Sequence, residues 1–135
     1  MTRGKDDEGS VAVEFAAVAS LLFVILFGII GFALHFGARA AAAQAAAEGA
    51  RASVAGVTDV ERAVLATAAA QTVVTRYGGM LGTPTITTAR ANLRYEVTVA
   101  VDISRFGLSR LTGFVPALSE RPSATVSIQI GGFGG

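Results

Sequence analysis

Read for its apolar and polar positions, the chain falls into three regimes. From Gly9 to Phe36 (GSVAVEFAAVASLLFVILFGIIGFALHF) apolar residues run on without a period, and Glu14 is the one charged residue before Arg39. The 22 residues from Phe15 to Phe36, at a rise of about 1.5 Å each, cover a hydrocarbon core of roughly 30 Å. This stretch predicts a helix that crosses a membrane. The alanine-rich segment Ala38 to Ala52 follows. Alanine is the strongest helix former, so the helix is expected to run on past the apolar stretch into water. Within it Gln44, Glu48 and Arg51 make a polar edge, with Glu48 and Arg51 spaced to pair at i,i+3. Ala33, Gly37, Ala41, Ala45 and Gly49 recur every four residues as a ridge of small side chains, which lets another helix or another subunit approach closely.

The second regime is amphipathic. Thr58-Asp59-Val60-Glu61 has the T-x-x-E form of a capping box, and a helix is predicted from about Asp59 to Tyr77, stopped by Gly78-Gly79. Val57, Val60, Val64 and Ala68 share one face, which is expected to lie on a sheet. The third regime has period two. Leu93, Tyr95, Val97, Val99, Val101 and Ile103 alternate with Arg94, Glu96, Thr98, Ala100 and Asp102, so one face is buried and one is wet. Ala124 to Ile130 repeats the pattern. Thr83 to Arg90 is a weaker strand with Pro84 near its start, where an edge tolerates it, and Ala91-Asn92 is the expected turn. The fold class is therefore α+β: a long N-terminal transmembrane helix continuing into an Ala-rich helix, a second amphipathic helix, and a small three-stranded antiparallel sheet. Between the last two strands, Ser104 to Pro122 is an apolar loop carrying Phe106, Leu108, Leu111, Phe114, Val115 and Leu118, with a short helix expected around Arg105 to Leu111. It has three candidate roles: plugging the open end of the sheet, resting on a membrane surface, or docking another subunit. The plug is preferred because a small sheet needs core. The GGFGG tail, 131–135, is expected to be flexible.

Composition narrows the function. A net charge of +1 gives no electrostatic case for nucleic acid. The absence of cysteine removes disulfides, thiolate metal sites and cysteine nucleophiles together, and a single histidine, His35, is too few for a histidine metal site. No H-E-x-x-H, P-loop or strand followed by G-x-G-x-x-G occurs. No catalytic residues, metal site or cofactor are expected, and His35 is read as an anchor at the outer border of the span.

The most specific feature stands at the head of the apolar helix. Gly9 is followed by four small or apolar residues, then Glu14 and Phe15, then the span; beyond it comes Glu48-Gly49-Ala50-Arg51. A carboxylate inside an apolar helix is costly unless it is paired, hydrated or close to the interface, and Glu14 lies about one turn inside the border. In these residues the chain resembles type IV-like prepilins of the Flp/Tad class, and among them TadE-like minor pseudopilins, which combine G-x4-E-F/Y with an EGAR-type motif after the span. The resemblance implies that a prepilin peptidase cuts between Gly9 and Ser10 on the cytoplasmic side. A cut there creates an ammonium one helical turn from Glu14, close enough to pair with that carboxylate or a neighbouring subunit's. The leader carries Arg3 and Lys5 against Asp6, Asp7 and Glu8, so charge alone favours neither orientation; the resemblance implies a cytoplasmic N-terminus.

The expected organisation is a prepilin-type leader at 1–9, a transmembrane and Ala-rich helix at 10–55, and an extracytoplasmic α+β domain at 56–135. The expected function is that of a minor pseudopilin in Flp/Tad pilus assembly or a related secretion apparatus, not an enzyme. It would sit as a single pass in the cytoplasmic membrane, in association with a pilus. Its partners would be the membrane, the prepilin peptidase, other pilin or pseudopilin subunits and the Tad assembly machinery, with no nucleic acid. The alternative is an uncleaved, signal-anchored extracytoplasmic binding module.

Overall fold

A computed structural model describes residues 4–112 and 118–131. The first three leader residues, Phe114, Val115 and Pro116 of the apolar loop, and Phe133 in the tail lie outside the described residues. One helix dominates the molecule: α1, Gly4–Ser53, 50 residues long. At 1.5 Å per residue that is roughly 75 Å. It already includes the polar segment Gly4 to Gly9.

The two halves of α1 have opposite surroundings. From Gly9 to Ile30 nearly every side chain is exposed on all sides, including Leu22, Phe23, Ile25, Phe27 and Ile29. Its aromatic contacts there are its own, such as Phe23 stacked on Phe27 with centroids 6.4 Å apart. From Gly31 onward one face is buried: His35, Ala38, Ala41, Ala42, Ala45, Ala46, Gly49, Ala50 and Ser53. The steps of three and four between them are those of one helical stripe.

What buries this stripe is α2, Asp59–Thr75, and a three-stranded antiparallel sheet of order β1-β2-β3, made of Thr85–Ala91, Arg94–Ala100 and Ser123–Gln129. The capping box of α2 forms in full: Thr58 Oγ1 accepts from the Glu61 N–H, and the Glu61 carboxylate accepts from the Thr58 and Val57 N–H groups. These bonds hold the Glu61 carboxyl below its ordinary value of 4.5, the backbone N–H of Thr58 contributing most. The hydroxyl and backbone N–H of Ser104 likewise hold Asp102 below 3.8. Both groups stabilise the fold above their unfolded values and lose that contribution as pH falls through the folded ones. Thermal unfolding midpoints are therefore expected to drop below about pH 4.5, and the drop should be shallower in Glu61→Gln.

After α2, Gly78 and Gly79 both take positive φ, +56° and +62°, and end the helix as anticipated. The β1–β2 turn is Asn92-Leu93, one residue later than the sequence pattern indicated, since Ala91 still pairs with Arg94. Asn92 takes φ +56°, a conformation asparagine tolerates. Leu93, expected on the inner face, falls in this turn and is half exposed.

Along β2 the alternation holds: Tyr95, Val97 and Val99 are buried, and Val101 and Ile103 continue the face beyond the strand. Val97 stands opposite Thr88 on one side and Val126 on the other. The layer above β2 and β3 is α1, with α2 beside it over β1. This corrects one expectation. Val57, Val60 and Val64 do not lie on the sheet but face solvent at 85%, 74% and 64% exposure, while α2 buries Ala66, Ala70, Val73 and Val74. The alanine face of α1 occupies the sheet, so α2 packs sideways, through its own small residues.

The apolar loop divides between its expected roles. It contains a short turn of 3-10 helix, Ser104–Phe106, and α3, Ser109–Thr112. Leu108 joins the core and Leu118 is buried, as a plug requires, while Phe106 remains partly exposed.

Candidate functional site at the head of α1 and the motif after the span

Gly9, Ser10, Glu14 and Phe15 all sit on continuous helix and all are exposed. The Gly9–Ser10 bond is thus helical and open on every side. A Cβ built on Gly9 would meet nothing within 4 Å, so no packing demands glycine there. Glycine weakens a helix interior by about 1 kcal/mol relative to alanine, which eases local unwinding of that turn. Glu14 lies one turn beyond Ser10 and Phe15 is 73% exposed. Among the described residues the site consists of exposed helix alone.

The second predicted cluster is different in kind. Glu48 and Arg51 pair at 3.2 Å as their spacing required, both well exposed, a contact worth at most a few tenths of a kcal/mol. Between them, Gly49 and Ala50 are buried. A Cβ on Gly49 would stand 2.9 Å from the Ala66 carbonyl oxygen, 3.2 Å from Val97 and 3.4 Å from Ala70. α1, α2 and β2 meet closely here. The ridge of small residues is therefore used inside the chain at Ala41, Ala45 and Gly49, while Ala33 and Gly37 remain exposed. The motif is a packing device, and about 60 Å of helix, at 1.5 Å per residue, separates it from Gly9. The structure brings the two predicted clusters onto one rod without bringing them together.

Several contacts had no sequence signal because their partners are distant in the chain. His35 is 8% exposed, and its Nδ1 lies 3.1 Å from the Ser119 carbonyl oxygen. It anchors α1 to the segment after the loop. Arg90 on β1 reaches both carboxylate oxygens of Asp59, at 3.1 and 3.2 Å, and ties the start of α2 to the sheet. Gln44 accepts from the Tyr77 hydroxyl at 2.9 Å, which gives the polar edge of α1 a partner at the end of α2. Tyr95 is 2% exposed and its hydroxyl is buried without a partner among the described residues. Burying an unsatisfied hydroxyl costs about 1–3 kcal/mol, so Tyr95→Phe is expected to be neutral or to raise the unfolding midpoint. A loss of stability in that variant would show that the hydroxyl has a partner in solution.

The predicted residues coincide with a family boundary at both ends. Residues 9–51 match the family model described as TadE-like protein. The match begins at Gly9 and ends at Arg51, taking in Glu14 and Phe15, and covers about a third of the chain. No curated protein and no solved structure matches the chain. The helix around which this fold is built is thus similar, from the Gly9–Ser10 bond to the Glu48–Arg51 pair, to the TadE-like family model.

Proposed function

We propose that the chain is a TadE-like minor pseudopilin of a Flp/Tad pilus or a related secretion apparatus, with a structural rather than an enzymatic role. It is made as a membrane-anchored precursor and trimmed by a prepilin peptidase between Gly9 and Ser10. The observation that carries this reading is the bare first half of α1, beginning at the glycine where the family match begins. More than twenty consecutive residues of exposed apolar helix need either lipid or the helices of other subunits around them. A span that serves first as anchor and then as packing helix meets both needs with one segment.

Glu14 supplies the register. Within a bundle of such helices, an isolated carboxylate is costly and one paired with an ammonium is far less so. Cleavage at Ser10 creates that ammonium one turn away, near the positive end of the helix dipole, where a carboxylate is also favoured. The N-terminus is cytoplasmic in this reading and the α+β body lies on the other side.

The test is co-expression with a prepilin peptidase, followed by N-terminal sequencing of the product. A mature chain that begins at Ser10 is expected from the wild type, and a sharply reduced yield of it from Gly9→Ala. Because Gly9 touches nothing, the substitution leaves the fold intact and reads the cleavage step alone. Equal processing of the two chains, or a wild-type product that keeps its first nine residues, favours the uncleaved signal-anchored module instead. Glu14→Ala is expected to be cut normally but to fail in assembly.

A further inference from the structure

We propose that the end of the folded body nearest the span is a phosphate seat for an anionic lipid headgroup, formed by His35, Arg39, Ser119, Arg121 and Ser123. These residues line one polar concavity. Its position follows from α1. The apolar stretch closes at Phe36, and Arg39 stands three residues further on, about 4.5 Å along the axis. The helix is unbroken there, so Arg39 lies within a turn of the hydrocarbon border, at the depth of the headgroups. His35 and Arg39 are four residues apart and share a face.

The chemistry of the lining suits a phosphodiester. Arg39 is exposed and forms no hydrogen bond or ion pair among the described residues. The Arg121 guanidinium meets the Asp102 carboxylate at 3.6 Å, a loose contact on a side chain that is 75% exposed. The remaining carboxylate nearby, Glu120, accepts from the Ser109 backbone N–H. A carbonyl oxygen only accepts, so the bond from His35 to Ser119 places the ring proton on Nδ1, which fixes the imidazole as a wall of the site. Guanidinium groups bind phosphate through paired N–H donors, more strongly once water is thinned at an interface.

The distribution of charge over the whole body points the same way. The end beside the span carries Arg39 and Arg121 in the concavity, against Asp102, which pairs with Arg121. The far end carries Arg51, Arg62, Arg90 and Arg94 against an equal number of carboxylates, Glu48, Asp59, Glu61 and Glu96. The ion pairs Glu48–Arg51 and Asp59–Arg90 offset charge away from the concavity, whereas Arg39 within it has no ion pair among the described residues. A separate apolar groove on another side of α1 runs from Ala33 and Gly37 to Met80 and Phe106, and Met80 and Phe106 are 56% and 39% exposed. Exposed apolar side chains among arginines are what a surface resting on headgroups presents. The proposal needs the span but not the cleavage, so it stands apart from the processing test.

The experiment is native mass spectrometry of the full chain released from bilayer nanodiscs containing equal phosphatidylglycerol and phosphatidylcholine. The wild type is expected to retain phosphatidylglycerol over phosphatidylcholine by about fivefold, a preference of about 1 kcal/mol. Arg39→Gln/Arg121→Gln is expected to lose that preference, Arg39→Lys/Arg121→Lys to keep most of it, and Arg94→Gln at the far end to leave it unchanged. Both pairs change exposed side chains, and an unaltered unfolding midpoint confirms that the body is intact. Equal retention of the two lipids by the wild type, or undiminished preference in the double glutamine variant, overturns the proposal. So does release of the bound lipid by millimolar inorganic phosphate, which would make the site one for free anions.

Discussion

Gly49→Val is expected to unfold the body while leaving the chain in the membrane. The added side chain has no free volume: the first carbon alone would meet the Ala66 carbonyl oxygen at 2.9 Å, and the valine methyls would extend towards Val97 and Ala70. Two of the three neighbours belong to a helix and one to the central strand, so relief requires α1 to move away from both. Overpacking of this kind costs about 3 kcal/mol, which in a body of this size lowers the unfolding midpoint by roughly 15 °C. Gly49→Ala should lose less, because alanine regains about 1 kcal/mol of helix propensity. The measurement is circular dichroism melting of the full chain in detergent, with carbonate extraction of membranes as the control. A valine variant that melts like the wild type would show that α1 and α2 are not held at this separation.

The reciprocal result is expected from Ile25→Asp/Ile29→Asp. Both side chains are exposed, at 51% and 62%, and touch nothing in the folded body. In water the substitutions should leave the melting of the body unchanged. At the centre of a span each carboxylate costs about 2.5–3.5 kcal/mol on insertion scales, so the pair removes much of the drive to insert. The chain should shift from the carbonate-resistant to the soluble fraction. A chain that stays membrane-bound would assign the anchoring to another surface. Together the two outcomes would divide one unbroken helix into a part whose solvent is lipid and a part whose solvent is protein.

The head of α1 was legible because its cues are local. A glycine, a lone carboxylate and an aromatic residue at the start of an apolar run can be read without knowing what lies beside them. The capping box at Thr58 and the alternation along β2 are local in the same sense: adjacent residues satisfy or share a face with one another. The valine stripe of α2 was misassigned for the opposite reason. Val57, Val60 and Val64 make a better apolar face than Ala66 and Ala70, but burial was decided by which residues allow α1 to come close. The identity of that partner is not written in α2.

By itself, then, the order of residues determined a helix long and apolar enough to cross a membrane, the stretch that matches the TadE-like family model, the elements and their sequence, and the pairing of Glu48 with Arg51. Hydrophobic length, capping and periodicity act over a few residues and need no partner. Tertiary structure alone decided that the alanine half of α1 forms the middle of the core, that Gly49 is held by close approach, and that His35 meets Ser119. Those contacts join segments separated by up to 84 residues, and their energies depend on volume and distance in three dimensions, which spacing along the chain does not record.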